Sequence, residues 1–413
     1  MKFDVIVVGA GPAGSTTARE CARRGLSVLI VDRAEFPRDK PCGGGLTIRA
    51  ARLLDFEFSP VVERKITDLY FTERQRRGFA RSGGKPVTYL TQRRHLDNLL
   101  VDQSVKAGAQ FCQRETVRQV ERSNGHVTVR TAKQDYDGRV LVAADGANGT
   151  TAKMAGLDIK VLHGIAIEGN VTPEGPFPAD WEKALGVDFC DPEGGYGWIF
   201  PKGDHLNVGL GGWKYVGPTL REKLDNLTRS YGFDPGKIWG LRGHHLPIRC
   251  SGSPLATGNV LAVGDAAGLL DPFTAEGIYS AIWSGQAASR AIFDYVEGKA
   301  GDLDGYRREV ESKLEPELRL SRQFADVFHL YPGMFIGIER RTEVLSRVLI
   351  GLLCGDYSYE RVSKKLGVAW PGVVLISDLV RVSPALRKRS GLRDPEPPER
   401  FFKKGRAHEH GAQ

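Results

Sequence analysis

Near its start the chain reads Gly9-Ala10-Gly11-Pro12-Ala13-Gly14, set between an apolar, β-branched run (residues 3–8) and a helical stretch (residues 12–24). Gly25 ends that stretch as a C-cap, and Asp32 closes the next apolar run, residues 26–31. No other feature constrains the fold as strongly. Gly9 permits a tight turn, Gly11 lets backbone approach a pyrophosphate, and Gly14 allows close helix–strand packing. The helix start offers free N–H groups and a positive dipole end to phosphate. Asp32 lies 18 residues beyond Gly14, placed to accept from ribose hydroxyls. Strand, glycine turn, helix and acid together predict a βαβ dinucleotide-binding unit, without saying which dinucleotide.

A second motif, more than 200 residues downstream, narrows the choice. Gly264-Asp265-Ala266-Ala267 ends an apolar strand (residues 259–263), and Pro272 and Glu276-Gly277-Ile278 follow before a long helix (residues 276–296). A buried strand that delivers an aspartate to a glycine-rich helix start offers a carboxylate to ribityl hydroxyls and N–H groups to a second phosphate and a flavin ring. Two nucleotide segments so far apart suit FAD, since an NAD site is normally completed locally. Ala144-Asp145-Gly146, after the apolar strand 139–144, is a third matching segment.

Between these motifs the periodicity changes. Residues 60–90 read as strands in another register, residues 94–107 as a helix, and 116–121 and 126–130 as strands. From 160 to 250 alternating stretches such as 163–171 and 205–210 predict an antiparallel sheet, with one helix at 219–230. The last third reads as helices near 304–328 and 334–353. The expected fold class is α/β: a Rossmann FAD domain (1–60, 91–158 and 255–296), interleaved with an antiparallel-sheet substrate domain (61–90 and 159–254). A helical C-terminal region (297–385) and a basic flexible tail (386–413) complete it.

Composition excludes several classes. The formal charge is +8, and residues 387–413 hold eight Lys and Arg against four Asp and Glu, so half the surplus sits in the tail. The tail reads as solvated, or as a segment that touches a membrane or a protein; nucleic acid is not an expected partner. Six cysteines without a CxxC pair argue against a zinc site and against a secreted disulfide scaffold, so no metal is expected. With a first strand at residue 3 and no apolar run near the ~20 residues that span a bilayer, the expected location is cytoplasmic, with peripheral membrane contact.

On these motifs the chain resembles the glutathione-reductase-type FAD proteins of the p-hydroxybenzoate hydroxylase class, and within it the geranylgeranyl reductase family; the resemblance implies a glutathione-reductase-type Rossmann FAD domain. Three further features carry the resemblance. Pro41-Cys42-Gly43-Gly44-Gly45-Leu46 is similar to that family's cysteine–glycine loop near the flavin. Tyr196-Gly197-Trp198-Ile199-Phe200-Pro201, then Gly209-Leu210-Gly211, is similar to its YxWxFP…GxG substrate signature. Asp271-Pro272-Phe273 with Glu276-Gly277-Ile278 is similar to its flavin-ring loop. The resemblance adds Ala13, Arg93, Val117 and residues Cys42, Gly43, Gly44 and Leu46 to the cofactor contacts Gly9, Gly11, Gly14, Asp32, Asp265, Gly277 and Ile278. It makes Tyr196, Trp198, Phe200, Pro201, Gly209 and Gly211 substrate contacts.

Tyr196, Trp198 and Phe200 alternate, so a strand turns all three to one side, as the wall of an apolar tunnel or as an ordinary aromatic core. Cys42 has three readings: a small packing residue, a proton donor, or a redox-sensitive gate, with Arg38 and Lys40 near it in sequence. His244 and His245 are expected to be structural or surface residues.

The activity this implies is saturation of C=C bonds in the prenyl chain of an isoprenoid lipid, by hydride from reduced FAD. An unactivated alkene offers no carbonyl to polarise, so orientation and a well-placed acid must do the work. Tyr196, Cys42 and an ordered water are the candidate acids. The electron donor is NAD(P)H or a ferredoxin-like carrier, the latter suited to a basic surface. Rival readings are reduction of a menaquinone tail, a flavin monooxygenase or halogenase, whose aromatic-x-Trp-x-Ile-Pro stretch looks like Tyr196–Pro201, and a non-catalytic flavin-binding docking protein. The cysteine–glycine loop favours the reductase.

Overall fold

The computed structural model of the chain describes residues 2–392, apart from 124 and 190. The glycine motif forms as expected. The strand Lys2–Val8 runs parallel to Val28–Val31 on one side and to Asp135–Ala143 on the other. Residues 5–8, 28–31 and 140–143 of these strands are buried without a break, which explains their apolar, largely β-branched composition. Val260–Ala262 and Gln110–Cys112 extend the parallel core, so the strands preceding Gly9, Ala144 and Gly264 lie side by side. An antiparallel hairpin, Val117–Ser123 and His126–Thr131, leans on the outer half of Asp135–Ala143.

Helix Pro12–Arg23 packs on helix Ile278–Val296, and glycines set the closeness of approach. A Cβ on Gly285 would stand 2.7 Å from the Ala13 carbonyl oxygen. One on Gly14 would stand 1.9 Å from that of Gly9. Gly25 follows the first helix with φ +86°, a left-handed position that glycine adopts without strain.

The second sheet has seven strands, in the order Trp239–Arg249, Val161–Val171, Leu206–Trp213, Tyr196–Pro201, Ala184–Phe189, Asp68–Glu73 and Arg76–Ser82. It is antiparallel except where Ala184–Phe189 meets Asp68–Glu73. A small third sheet was not foreseen. In it Thr88–Leu90 pairs with both Gly45–Thr47 and Arg64–Ile66, tying the end of the cysteine–glycine loop to the substrate side. The fold is therefore a Rossmann-type domain interleaved with an antiparallel sheet, followed by helices.

Two helical expectations need correction. The stretch 304–328 is Asp304–Glu309, a π-helical turn Val310–Leu314, and Glu315–Leu330. Pro316 lacks the N–H needed for a regular turn there. The stretch 334–353 is two helices, Pro332–Thr342 and Val344–Cys354, broken at Glu343 with φ +56°. The buried Glu339 carboxylate accepts the N–H groups of Leu345 (2.8 Å) and Ser346 (3.1 Å), so the first helix caps the second. Part of the expected tail is ordered: Pro384–Ser390 is a helix capped by Ser383. Residues 393–413 lie outside the described residues.

Candidate active site

The carboxyl ends of the central strands and the edge of the seven-stranded sheet meet at the loop around Cys42. On the strand side Gly9 has φ +106°, and a Cβ there would lie 2.3 Å from the Ala144 carbonyl oxygen. The third matching segment thus acts by close backbone packing, while the Asp145 carboxylate accepts from Thr150 and Thr151 N–H and caps a local turn. Asp32 accepts the N–H groups of Ala10 (2.7 Å) and Ala34 (2.8 Å), fixing the glycine loop to the second strand. Backbone bonds from Asp32 to Cys112 and Glu115 bring Val117 to the same end. Gly11 is open: a Cβ there would meet only an Arg38 nitrogen, at 3.7 Å.

Arg38 shows that an anion fits here. One guanidinium nitrogen pairs with Asp97 at 2.9 Å, while Nη1 is buried without a partner. A buried unpaired donor beside a bare glycine turn suits a pyrophosphate. Arg93 clasps Asp97 with two bonds of 2.7 and 2.8 Å. Burial opposes its charge, but the Asp97 carboxylate outweighs burial and holds it protonated, beside the Cys42 thiol. On the far side Asp265 lies against Gly277, whose Cβ would stand 3.2 Å from it, and Lys40 Nζ is 4.0 Å away. Ala13 is packed under Gly264. Leu46 and Ile278 share one buried cluster, so their side chains hold the cradle from below.

The cysteine–glycine loop is held by side chains from distant strands. Cys42 N–H donates to Glu168 Oε1 at 2.7 Å. Lys202 Nζ donates to the carbonyls of Gly43 (2.5 Å) and Thr91 (3.0 Å). Gly44 has φ +67° and accepts from Thr91 N–H. Burial raises the Glu168 pKa, against the pull of the Cys42 N–H and Lys202, and lowers that of Lys202 to about 8. Lys40 Nζ is 2.9 Å from His244 Nε2; burial and then Lys40 push that imidazole down to about 4. His244 is therefore a site residue, whereas His245 bonds Asn148.

Tyr196, Trp198 and Phe200 do share one face. A Cβ on Gly43 would strike the Phe200 ring at 2.6 Å and approach Trp198 at 3.3 Å, so the loop rests on this aromatic row. Across the strand pair, Gly209 makes room for Trp198, 2.2 Å from where its Cβ would be, and Gly211 faces Tyr196 in register. Trp198 Nε1 donates to Asn207 at 2.8 Å. The Tyr196 hydroxyl donates to the Thr274 carbonyl at 2.6 Å, and burial pushes its pKa up. Pro201 alternates to the opposite face, so its side chain is not part of this row.

The loop 271–278, expected to face the flavin ring, is anchored from both sides. The Asp271 carboxylate accepts from Phe273 and Thr274 N–H, Ser321 and Tyr359, while Thr47 and Arg49 bind Glu276. Beyond it Phe273, Phe324, Phe328 and Phe335 pack ring on ring. Past them lies a cleft of about 710 Å³ lined by residues that include Leu330, Tyr331, Met334 and Arg389.

Glu168 and Lys202 do not stand out in the sequence, Lys40 does so only as a neighbour of Cys42, and His244 corrects the expectation of a structural or surface residue. Glu168 left one sign, as an acid at a buried position of an alternating strand.

This geometry defines an FAD-binding oxidoreductase. A family model described as FAD binding domain matches residues 2–197. The chain is 31% identical over 326 residues to the menaquinone reductase of Mycolicibacterium smegmatis (70% of this chain, 76% of the relative). It is 30% identical over 362 residues to a digeranylgeranylglycerophospholipid reductase of Methanocella arvoryzae (79% and 87%). It is 30% identical over 321 residues to a geranylgeranyl diphosphate reductase of Rhodobacter capsulatus (73% and 78%). The chain belongs to the geranylgeranyl reductase family of FAD-dependent oxidoreductases. Among solved structures it superposes on a geranylgeranyl bacteriochlorophyll reductase-like protein of Thermoplasma acidophilum with TM-score 0.70, 21% identity and coverage of 94% and 98%. A flavin-dependent brominase matches with TM-score 0.69, 20% identity and coverage of 86% and 94%, a likeness of fold alone.

Proposed function

We propose that this chain saturates C=C bonds in the prenyl chain of an isoprenoid lipid, of the geranylgeranyl class. The observation that carries the reading is the apolar row Tyr196, Trp198 and Phe200, packed against the cysteine–glycine loop and bonded to the flavin-ring loop through Tyr196. Bound reduced flavin supplies the hydride. Gly11, Arg38, Asp32 and Asp265 would hold the cofactor, and Glu168 and Lys202 fix the cysteine–glycine loop. The aromatic row excludes water and aligns an alkene that has no polar handle.

The second requirement is a proton. The Tyr196 hydrogen is engaged by the Thr274 carbonyl, and its raised pKa keeps it in place. The Cys42 thiol accepts from Gly44 N–H (3.4 Å) and borders Arg93, so Cys42 is the first candidate to test as acid. Tyr196, Phe273 and Phe328 belong to one packed cluster, and the cleft at Tyr331 follows Phe328 in the chain, so a lipid entering from that cleft would have to part these rings.

Anaerobic incubation of the reduced protein with geranylgeranyl lipids tests the reading: product mass should rise by one H₂ per saturated bond. The similarity to menaquinone reductases supports a quinone tail as second substrate, checked in parallel. No gain with either lipid would sink both, and insertion of oxygen or halide in air would favour the brominase-like chemistry. Cys42→Ala should lose turnover while keeping bound flavin; full turnover would return Cys42 to a packing role. NAD(P)H and a ferredoxin-like carrier remain the two proposed donors.

A further inference from the structure

Among the described residues thirteen large hydrophobic side chains are exposed, and nine of them lie between Tyr331 and Val382. The densest stretch is the junction between helices Tyr359–Leu366 and Trp370–Val382. There Leu366 is 39% exposed and Val368 100%, Gly367, Ala369, Pro371 and Gly372 are also exposed, and Trp370 is half-buried. Helix Trp370–Val382 continues the same character. Leu375, Leu379 and Val382 recur at i, i+4 and i+7 and are 60%, 43% and 61% exposed, so they form one outward stripe. The opposite face is the one that holds the helix to the protein. Val380 and Ser377 are buried there, and Ser377 donates to Asp326 at 2.8 Å. A contiguous apolar stripe on a helix whose other face is already satisfied marks an interaction surface.

Charge decides what covers it. Residues 331–392 hold ten Lys and Arg against five Asp and Glu. Lys364 and Lys365 directly precede the apolar junction, and Arg387, Lys388 and Arg389 follow the stripe on helix Pro384–Ser390. A second copy of this chain would bring the same positive surplus against itself, whereas an anionic bilayer satisfies the apolar and the basic groups together. No single helix among the described residues is long and apolar enough to cross a membrane: Trp370–Val382 has 13 residues, about 20 Å against a ~30 Å hydrocarbon core, the helix before it carries Glu360, Arg361, Lys364 and Lys365, and the chain bends by 105° before Pro384. The stretch therefore suits lying in the interface plane.

We propose that residues 366–382 and the flanking basic side chains dock the protein on an anionic bilayer, with residues 366–371 dipping among the headgroups. Such docking would bring the flavin site to a lipid that does not leave the membrane, a purpose that rests on the prenyl-lipid reading.

The test is flotation of the FAD-loaded full chain with vesicles of phosphatidylcholine, alone or mixed with phosphatidylglycerol. The chain should float with the mixed vesicles, less so in high salt. The double variants Val368→Asp/Leu375→Asp and Lys364→Glu/Lys365→Glu should each lower partitioning about tenfold or more. Val368→Cys carrying an environment-sensitive fluorophore should shift to the blue with the mixed vesicles. Flavin content of the variants should match the unsubstituted chain, which separates lost docking from misfolding. Equal flotation with both vesicle types, or double variants that float like the unsubstituted chain, would overturn the proposal. So would a dimer in sedimentation that Val368→Asp/Leu375→Asp breaks while no vesicle binding is seen. If flotation succeeds and no prenyl lipid is ever reduced, the docking surface stands and the substrate reading falls.

Discussion

At Gly14 an added Cβ would fall 1.9 Å from a backbone oxygen, and at Gly209 it would fall 2.2 Å from the ring of Trp198. The two glycines represent two ways of building a site. The proposed cofactor cradle is made mainly of backbone: glycine turns at strand ends and a helix N-terminus, all close in sequence to the strands that carry them. The wall facing it is made of side chains: a glutamate, two lysines, a histidine and three aromatic rings. Cys42 and Glu168 are 126 positions apart, Gly43 and Lys202 159, and Lys40 and His244 204. Damage to the first should remove the flavin; damage to the second should leave the flavin and impair its use.

The largest expected effect is at Gly14. Gly14→Val forces the helix away from the Gly9 turn, and FAD affinity should fall more than about 100-fold, read from the visible absorbance of purified protein, since that loss needs only ~3 kcal/mol. A yellow variant with normal affinity would break the distinction from its strongest side. Next is Gly209→Val, which must displace Trp198. Flavin content should hold while kcat/KM on a prenyl substrate falls about tenfold to 100-fold, with overpacking destabilising the fold by ~1–3 kcal/mol. Loss of flavin here would show that the wall also holds the cofactor.

Glu168→Ala removes the acceptor of the Cys42 N–H and one anion beside Lys40 and Lys202. Thermal stability of the flavin-loaded protein should drop by ~1–3 kcal/mol, and Glu168→Gln should recover part of it. Equal loss in both variants would point to the charge and not to the hydrogen bond.

The smallest effect concerns His244. Burial and Lys40 hold its folded pKa down to about 4, against an ordinary value of 6.5. The unfolded chain therefore binds a proton between those values that the folded chain excludes. Stability from this group is fully present above pH 6.5, falls as pH drops toward 4, and changes no further below. Its slope is at most about 1.4 kcal/mol per pH unit. His244→Gln should flatten the denaturation midpoint across that window; an unchanged slope would remove His244 from the Lys40 cluster.

Legibility divides along the same line. The glycine turn, the paired Asp265 and Gly277 and the shared face of Tyr196, Trp198 and Phe200 follow from spacing, because strand alternation and turn sterics act over a few residues. The same rule of alternation sets Pro201 on the other face, which a motif read as a unit conceals. The break at Glu343 was not legible, because a buried glutamate one turn earlier caps the second helix. Nor was His244, since a histidine on a strand declares its surroundings only when Lys40 and Asp265 arrive from elsewhere.

From its order of residues alone, this chain determined a nucleotide-binding βαβ unit, a second acid for a long cofactor and a row of aromatic rings on one strand. Steric limits on φ and ψ and the two-residue repeat of a strand are local, so the residues themselves carry that information. Which charges face the cysteine–glycine loop, and which helical stripe stays uncovered, was decided only by tertiary structure. Burial and electrostatic pairing depend on what the folded chain brings within a few ångströms, and here those partners lie more than 100 positions apart.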